Sequence, residues 1–190
     1  MGIMGPGYGS QYHLRRFVNC QQAALNDHIA SKYQAACFSA IDSMSWISPL
    51  RKDCYRELAG MEYFSGIGRP DILRAWAKFW PQTGRPPMWD GWAVATTRDG
   101  NQEILLVEAK ANAKEIETPG TQAKEPGRTQ ILNALDRTKR YLGVPKDTAW
   151  HETYYQFCNR VAVLYFLNQC VKVPTRLLFV YFTGYQFPDG

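Results

Sequence analysis

The chain contains no Cys-x-x-Cys pair, and its five cysteines, Cys20, Cys37, Cys54, Cys158 and Cys170, are an odd number spread over 190 residues. That spacing argues against a structural zinc site or a disulfide framework and for reduced thiols in a cytoplasmic protein. No apolar run approaches the roughly 20 residues of a membrane-spanning helix, and the glycine-rich residues 1–10 lack the apolar stretch of a secretion signal. A membrane is therefore not an expected partner. Gly-x-x-x-x-Gly-Lys-Ser/Thr, Gly-x-Ser-x-Gly and His-Glu-x-x-His are all missing, which excludes the P-loop, the serine-hydrolase elbow and the paired-histidine zinc helix. Histidine itself is scarce. His151-Glu152 has no second histidine four residues on, and His13 and His28 fall within one helical repeat, so all three read as structural or solvated. Gly5, Gly7 and Gly9 alternate without a preceding strand and read as a flexible terminus rather than a dinucleotide loop.

What is present suits one domain of ordinary size with a sizeable core, since 45% of residues are hydrophobic and 21% charged. Lys and Arg number 22 against 17 Asp and Glu, and the resulting +5 mildly favours a polyanionic partner. Ser10 can cap a long helix running to about Cys37, with Leu14, Phe17, Val18, Leu25, His28 and Ile29 on its apolar face. A loop at Ser45-Trp46-Ile47-Ser48-Pro49 precedes a second helix expected over residues 52–64, and Pro70-Asp71 opens a third that ends before Pro81. The texture then changes to two short β-rich runs, residues 89–97 and 103–111, joined through Asp99-Gly100 and read as an antiparallel hairpin. Residues 114–128 form a polar loop with two Pro-Gly steps, and helices are expected over 129–142 and 152–170, the latter apolar on most sides. Residues 176–183 read as a central strand buried on both faces. The final Phe187-Pro188-Asp189-Gly190 reads as a turn entered straight after that strand, as expected of a chain cut from a longer one.

Chemistry concentrates at the hairpin. Asp90 opens its first strand, and Glu108-Ala109-Lys110 ends its second after the apolar run Ile104-Leu105-Leu106-Val107. The period of two puts Glu108 and Lys110 on one face and Leu105, Val107 and Ala109 on the other, toward the core. A short turn brings Asp90 roughly opposite Glu108, so the three polar side chains converge where the sheet's other face is expected to be open. Two carboxylates a few ångströms apart repel unless a cation sits between them, and oxygen ligands of this kind favour Mg²⁺ or Mn²⁺. A lysine beside them can orient water and offset charge on a pentavalent phosphoryl transition state.

Pro87-Met88-Trp89-Asp90 followed by Glu108-Ala109-Lys110 resembles the PD-(D/E)XK nuclease superfamily, which includes type II restriction enzymes and Holliday-junction resolvases. The resemblance implies an α/β, restriction-endonuclease-like core, a mixed central β-sheet flanked by helices, built as helix, three-strand meander, helix and strand. It implies Mg²⁺-dependent cleavage of DNA, with Asp90 and Glu108 as metal ligands and Lys110 assisting. It spans residues 52–183 at most, leaving residues 1–51 as an additional N-terminal helical region. Two departures stand out: no first strand is visible between Gly66 and Pro87, and the proline lies three residues before Asp90. Many members add a glutamate from the first core helix, and Glu57, bordering the buried stripe of the helix expected there, is the candidate ahead of Glu62. Gln130 can aim its amide at the same place, though a plain helix-start glutamine fits it better.

Phosphate contacts are expected from Lys114, Lys124 and Arg128 in or beside the polar loop and from Arg137, Lys139 and Arg140 on the following helix. Trp76, Trp80, Trp89 and Trp92 suit core packing better than base stacking. DNA is the expected substrate ahead of RNA, and double-strand cutting would call for two active sites and hence a homodimer. The alternative is a nuclease-like module that binds nucleic acid or a protein partner without cutting. A third reading is an α/β enzyme unrelated to nucleic acid, in which Glu108 and Lys110 are an ordinary same-face ion pair.

Overall fold

Gln21 divides the long N-terminal helical run in two. In the computed structural model, which describes residues 4–5, 7–36 and 38–184, the elements are α1 (Ser10–Cys20), α2 (Gln22–Ala35), β1 (Ile41–Ser48), β2 (Leu58–Ala59), α3 (Glu62–Gly66), α4 (Pro70–Phe79), β3 (Met88–Trp89), β4 (Gly91–Thr97), β5 (Gln102–Lys110), α5 (Gly127–Leu142), α6 (Tyr155–Tyr165) and β6 (Thr175–Tyr181). The fold is mixed α/β around a four-stranded sheet in the order β1-β4-β5-β6. Cys37 and the turn at residues 187–190 lie outside the described residues. None of the described helices is long and apolar enough to cross a membrane. The chain gathers into two compact units, one holding α1, α2, β1, β4, β5 and β6, the other α3 to α6 with residues 59–88 and 113–173.

In the sheet unit, β1, β4 and β5 form an antiparallel meander and β6 runs parallel to β5. Where a loop is expected at residues 45–49, β1 runs through Ile41–Ser48. Its Asp and Ser residues carry little strand preference; pairing with β4, from Ile41↔Thr97 to Ser48↔Trp92, supplies the order instead. Helices α1 and α2 cover one face, burying Leu14, Val18, Leu25, Ile29 and Tyr33 against Ala93, Ala95, Leu105, Val107 and Ala109. The N-terminal helices are thus the cover of the sheet rather than an appendage to it. The break at Gln21 follows from Asn19, whose side-chain amide donates to the Arg15 and Pro49 carbonyls while its oxygen accepts the Arg51 N–H at 2.7 Å. β6 is an edge strand, half-buried along most of its length, not the central strand expected.

No helix spans residues 52–64. Cys54 and Tyr55 both take left-handed backbone angles, φ 55° and 57°, which interrupts any helix started by the single 3-10 turn at Arg51–Asp53. Only the five-residue α3 remains of it. In the second unit, α4 begins with Pro70 in its first turn as expected, and α5 ends on Gly143, left-handed at φ 70°. Trp76, Phe79, Trp80 and Phe166 form an aromatic core there, with Trp76 and Trp80 stacked at 5.7 Å. α6 continues into a π-helical turn at Phe166–Cys170.

Candidate active site

The hairpin forms because Asp99-Gly100 closes it. Gly100 has φ 81°, a left-handed angle that costs glycine little, and the Asp99 carboxylate accepts from the Thr97 hydroxyl and the Asn101 amide. From that turn the register runs without a slip, Thr96↔Gln102 down to Gly91↔Val107. One step further lie Asp90 and Glu108. Asp90 sits in the break between β3 and β4, and its Oδ2 accepts the Ala109 N–H at 2.8 Å. The carboxylate is thereby fixed against the peptide between Glu108 and Lys110.

Ala109 is 1% exposed in the core under α1 and α2, so its two neighbours must point to the opposite face. There Lys110 Nζ donates to Glu108 Oε1 at 2.7 Å. The face is not open as expected: Glu108 is 2% and Lys110 9% exposed, and Ile104 and Leu106 beside them on β5 are buried as well. Attraction between the two charges is strong in such surroundings, and so is the cost of removing either one alone. The Phe182 N–H donates to the Lys110 carbonyl at 2.8 Å and ties down the end of the strand. Asp90 and Glu108 each bring carboxylate oxygens, and a hard divalent cation is usually held by one or two protein carboxylates with waters or phosphate for the rest. Among the described residues no group of three or more His, Cys, Asp and Glu gathers as a metal site.

The other expected residues divide. Glu57 does not lie on a helix but in the extended stretch before β2, and Arg15 of α1 donates to its Oε1 at 3.1 Å. Gln130 donates its amide to the Ala77 carbonyl at 3.0 Å, joining α5 to α4. Lys139, expected to meet phosphate, is 5% exposed and bonded through Nζ to the Lys146 and Thr148 carbonyls and to Asp136. It anchors the turn after α5. Arg137 lies over the Phe79 ring and reaches Cys170 Sγ, while Lys114, Lys124, Arg128 and Arg140 are exposed. Trp76, Trp80, Trp89 and Trp92 are all buried, as core packing requires.

Sequence reasoning passed over Arg15, the partner of Glu57, and the polar pair Asn159-Arg160 inside α6. Both are 8% exposed or less, and they line a cleft of the second unit with Tyr155. The signal was there in the sequence: an amide and a guanidinium in the middle of a run otherwise apolar on most sides. No family model, no curated protein and no solved structure matches the chain.

Proposed function

We propose that the protein is a Mg²⁺- or Mn²⁺-dependent nuclease of the PD-(D/E)XK type that hydrolyses phosphodiester bonds of DNA. The observation that carries this reading is the bond from the Ala109 N–H to Asp90 Oδ2, which holds the aspartate just before β4 beside the Glu-x-Lys of β5. Support also comes from the sheet order β1-β4-β5-β6, three antiparallel strands followed by one parallel to β5, although α3 and α4 are inserted between β1 and β4 where the resemblance implies an unbroken meander. A divalent cation bound by Asp90 and Glu108 would act as a Lewis acid on the phosphate and acidify a bound water.

The chain's own groups do the rest. Asp90 and Glu108 would hold the cation, and the backbone bond to Ala109 keeps Asp90 from turning away. Lys110, a three-donor ammonium 2.7 Å from Glu108 Oε1, positions the attacking water and offsets negative charge as it builds on the phosphoryl oxygens. Exposed Lys114, Lys124, Arg128, Arg137 and Arg140 are the second unit's candidates for contact with nucleic-acid phosphates. The buried Glu108–Lys110 contact favours a second reading, a nuclease-like module that binds nucleic acid or a protein partner without cutting.

Incubating the protein with plasmid, single-stranded DNA and RNA under Mg²⁺, Mn²⁺ or EDTA separates the two. Cutting that requires the cation and falls at least about 10²-fold in Asp90→Ala and in Lys110→Met, with folding checked by circular dichroism, is the expected result. Cutting that survives both substitutions removes the site, and no cutting of any substrate leaves the binding module.

A further inference from the structure

The second unit contains a cleft of about 730 Å³, within the size range of small-molecule sites. One side of it is the turn from Trp80 to Met88, where Pro81, Pro86 and Pro87 present flat apolar surface on a backbone already stripped of much of its freedom. Tyr155 lies in the same lining, its hydroxyl bonded to the side chains of Thr121 and Asn159, which hold the ring in place.

The charges in the lining are unbalanced. Arg85 and Lys124 are exposed at the cleft, and Arg160, 4% exposed, is held by bonds to Asn159 Oδ1 and the Met88 carbonyl. The one acid in the lining, Glu125, accepts the Thr129 N–H at the start of α5 at 3.2 Å, so its charge is directed into that helix end. α6 starts at the cleft with no acid in its first turn, and the positive end of its dipole adds to the cationic side. A neutral sugar would have no use for these cations, and a bare anion would have none for the apolar wall.

We infer that this cleft binds a mononucleotide-sized phosphate ester, with the phosphate between Arg85 and Lys124 and the base laid against Pro86, Met88 and Tyr155. The inference uses only residues of the second unit and none of the Asp90 hairpin; Lys124 alone is shared with the phosphate contacts of the nuclease reading, so Asp90→Ala separates the two.

Titration calorimetry of the full chain tests it, with the four nucleoside 5′-monophosphates, the parent nucleosides, ribose 5-phosphate and a 5′-phosphorylated oligonucleotide as probes. At least one monophosphate should bind about tenfold or more tighter than both its nucleoside and ribose 5-phosphate. Arg85→Glu combined with Lys124→Glu, both at exposed positions, should weaken it by at least about tenfold while the circular dichroism spectrum is unchanged. Tyr155→Ala should narrow the gap between the nucleotide and ribose 5-phosphate, and Asp90→Ala should bind as the unaltered chain does. A tighter complex with the oligonucleotide would identify the nucleotide as a strand end, a weaker one as a free metabolite. No binding of any monophosphate at millimolar concentration, a nucleoside binding equally well, a folded double variant binding unchanged, or loss of binding in Asp90→Ala would each overturn the proposal.

Discussion

Replacing Lys110 with methionine should destabilise the protein far more than loss of a surface ion pair. The pair is 2.7 Å long, with side chains 11% and 3% exposed for Lys110 and Glu108. At an effective dielectric constant of about 20 its gross attraction is about 6 kcal/mol, against about 1.5 kcal/mol at the value for bulk water. Methionine matches the length of the lysine stem but leaves the Glu108 carboxylate buried without that cation, and breaking one side of a buried pair costs about 3–5 kcal/mol. For a chain of this size that is a fall of roughly 6–20 °C in Tm. Glu108→Gln with Lys110→Met removes both charges and should recover most of the loss. Differential scanning calorimetry with and without Mg²⁺ gives the reading, since saturation at about 100-fold over Kd adds about 2.7 kcal/mol to a chain whose folded state holds the cation. A fall of less than about 1 kcal/mol for Lys110→Met, or a double variant no better than the single one, would refute the argument that burial makes this pair strong.

Other outcomes follow from the packing around the site. A Cβ on Gly91 would lie 3.0 Å from Trp46 Cζ3 and 3.3 Å from Val107 Cβ, so Gly91→Ala should cost about 1–3 kcal/mol in urea unfolding and reduce cutting by shifting the adjacent Asp90; an unchanged midpoint would show that the neighbours give way freely. His13 is 2% exposed among the rings of Tyr12 and Phe182, and burial, then the charge of Arg16, holds its pKa below the usual 6.5. The unfolded chain takes up that proton and the folded chain resists it, so stability should fall as pH drops below about 6.5; His13→Phe should flatten that part of the urea-midpoint profile between pH 7.5 and 5, and identical profiles would disprove it. Lys139→Met should cost about 1–3 kcal/mol through the carbonyls it leaves behind without altering the salt dependence of DNA binding in fluorescence anisotropy, whereas Arg128→Gln should lower that slope by about one.

The hairpin was legible because everything that makes it is close in sequence. Asp99-Gly100 sets the turn, the apolar run of β5 sets the face, and the length of each strand from the turn sets the register as far as Gly91↔Val107, next to Asp90. α4 and α5 were legible for the same reason, from a proline at one start and a glycine at one end. What failed were the elements whose cause is distant. β1 is half Asp and Ser, which do not favour strands, and exists because β4 pairs with it from about fifty residues away. The expected helix over residues 52–64 had a plausible apolar spacing, yet the chain there turns left-handed at Cys54 and Tyr55 while Asn19 of α1 holds Pro49 and Arg51.

Taken by itself, the sequence determined the mixed α/β class, the hairpin and its register, and hence which polar residues share a face. Those properties rest on composition and on pairings a few residues long. Tertiary structure decided what each charge meets. It buried Glu108 and Lys110 together, gave Glu57 to Arg15 and Lys139 to backbone carbonyls, and put β6 at the sheet edge. A side chain's charge is written in the sequence, but its desolvation and its partner depend on segments that only folding brings near.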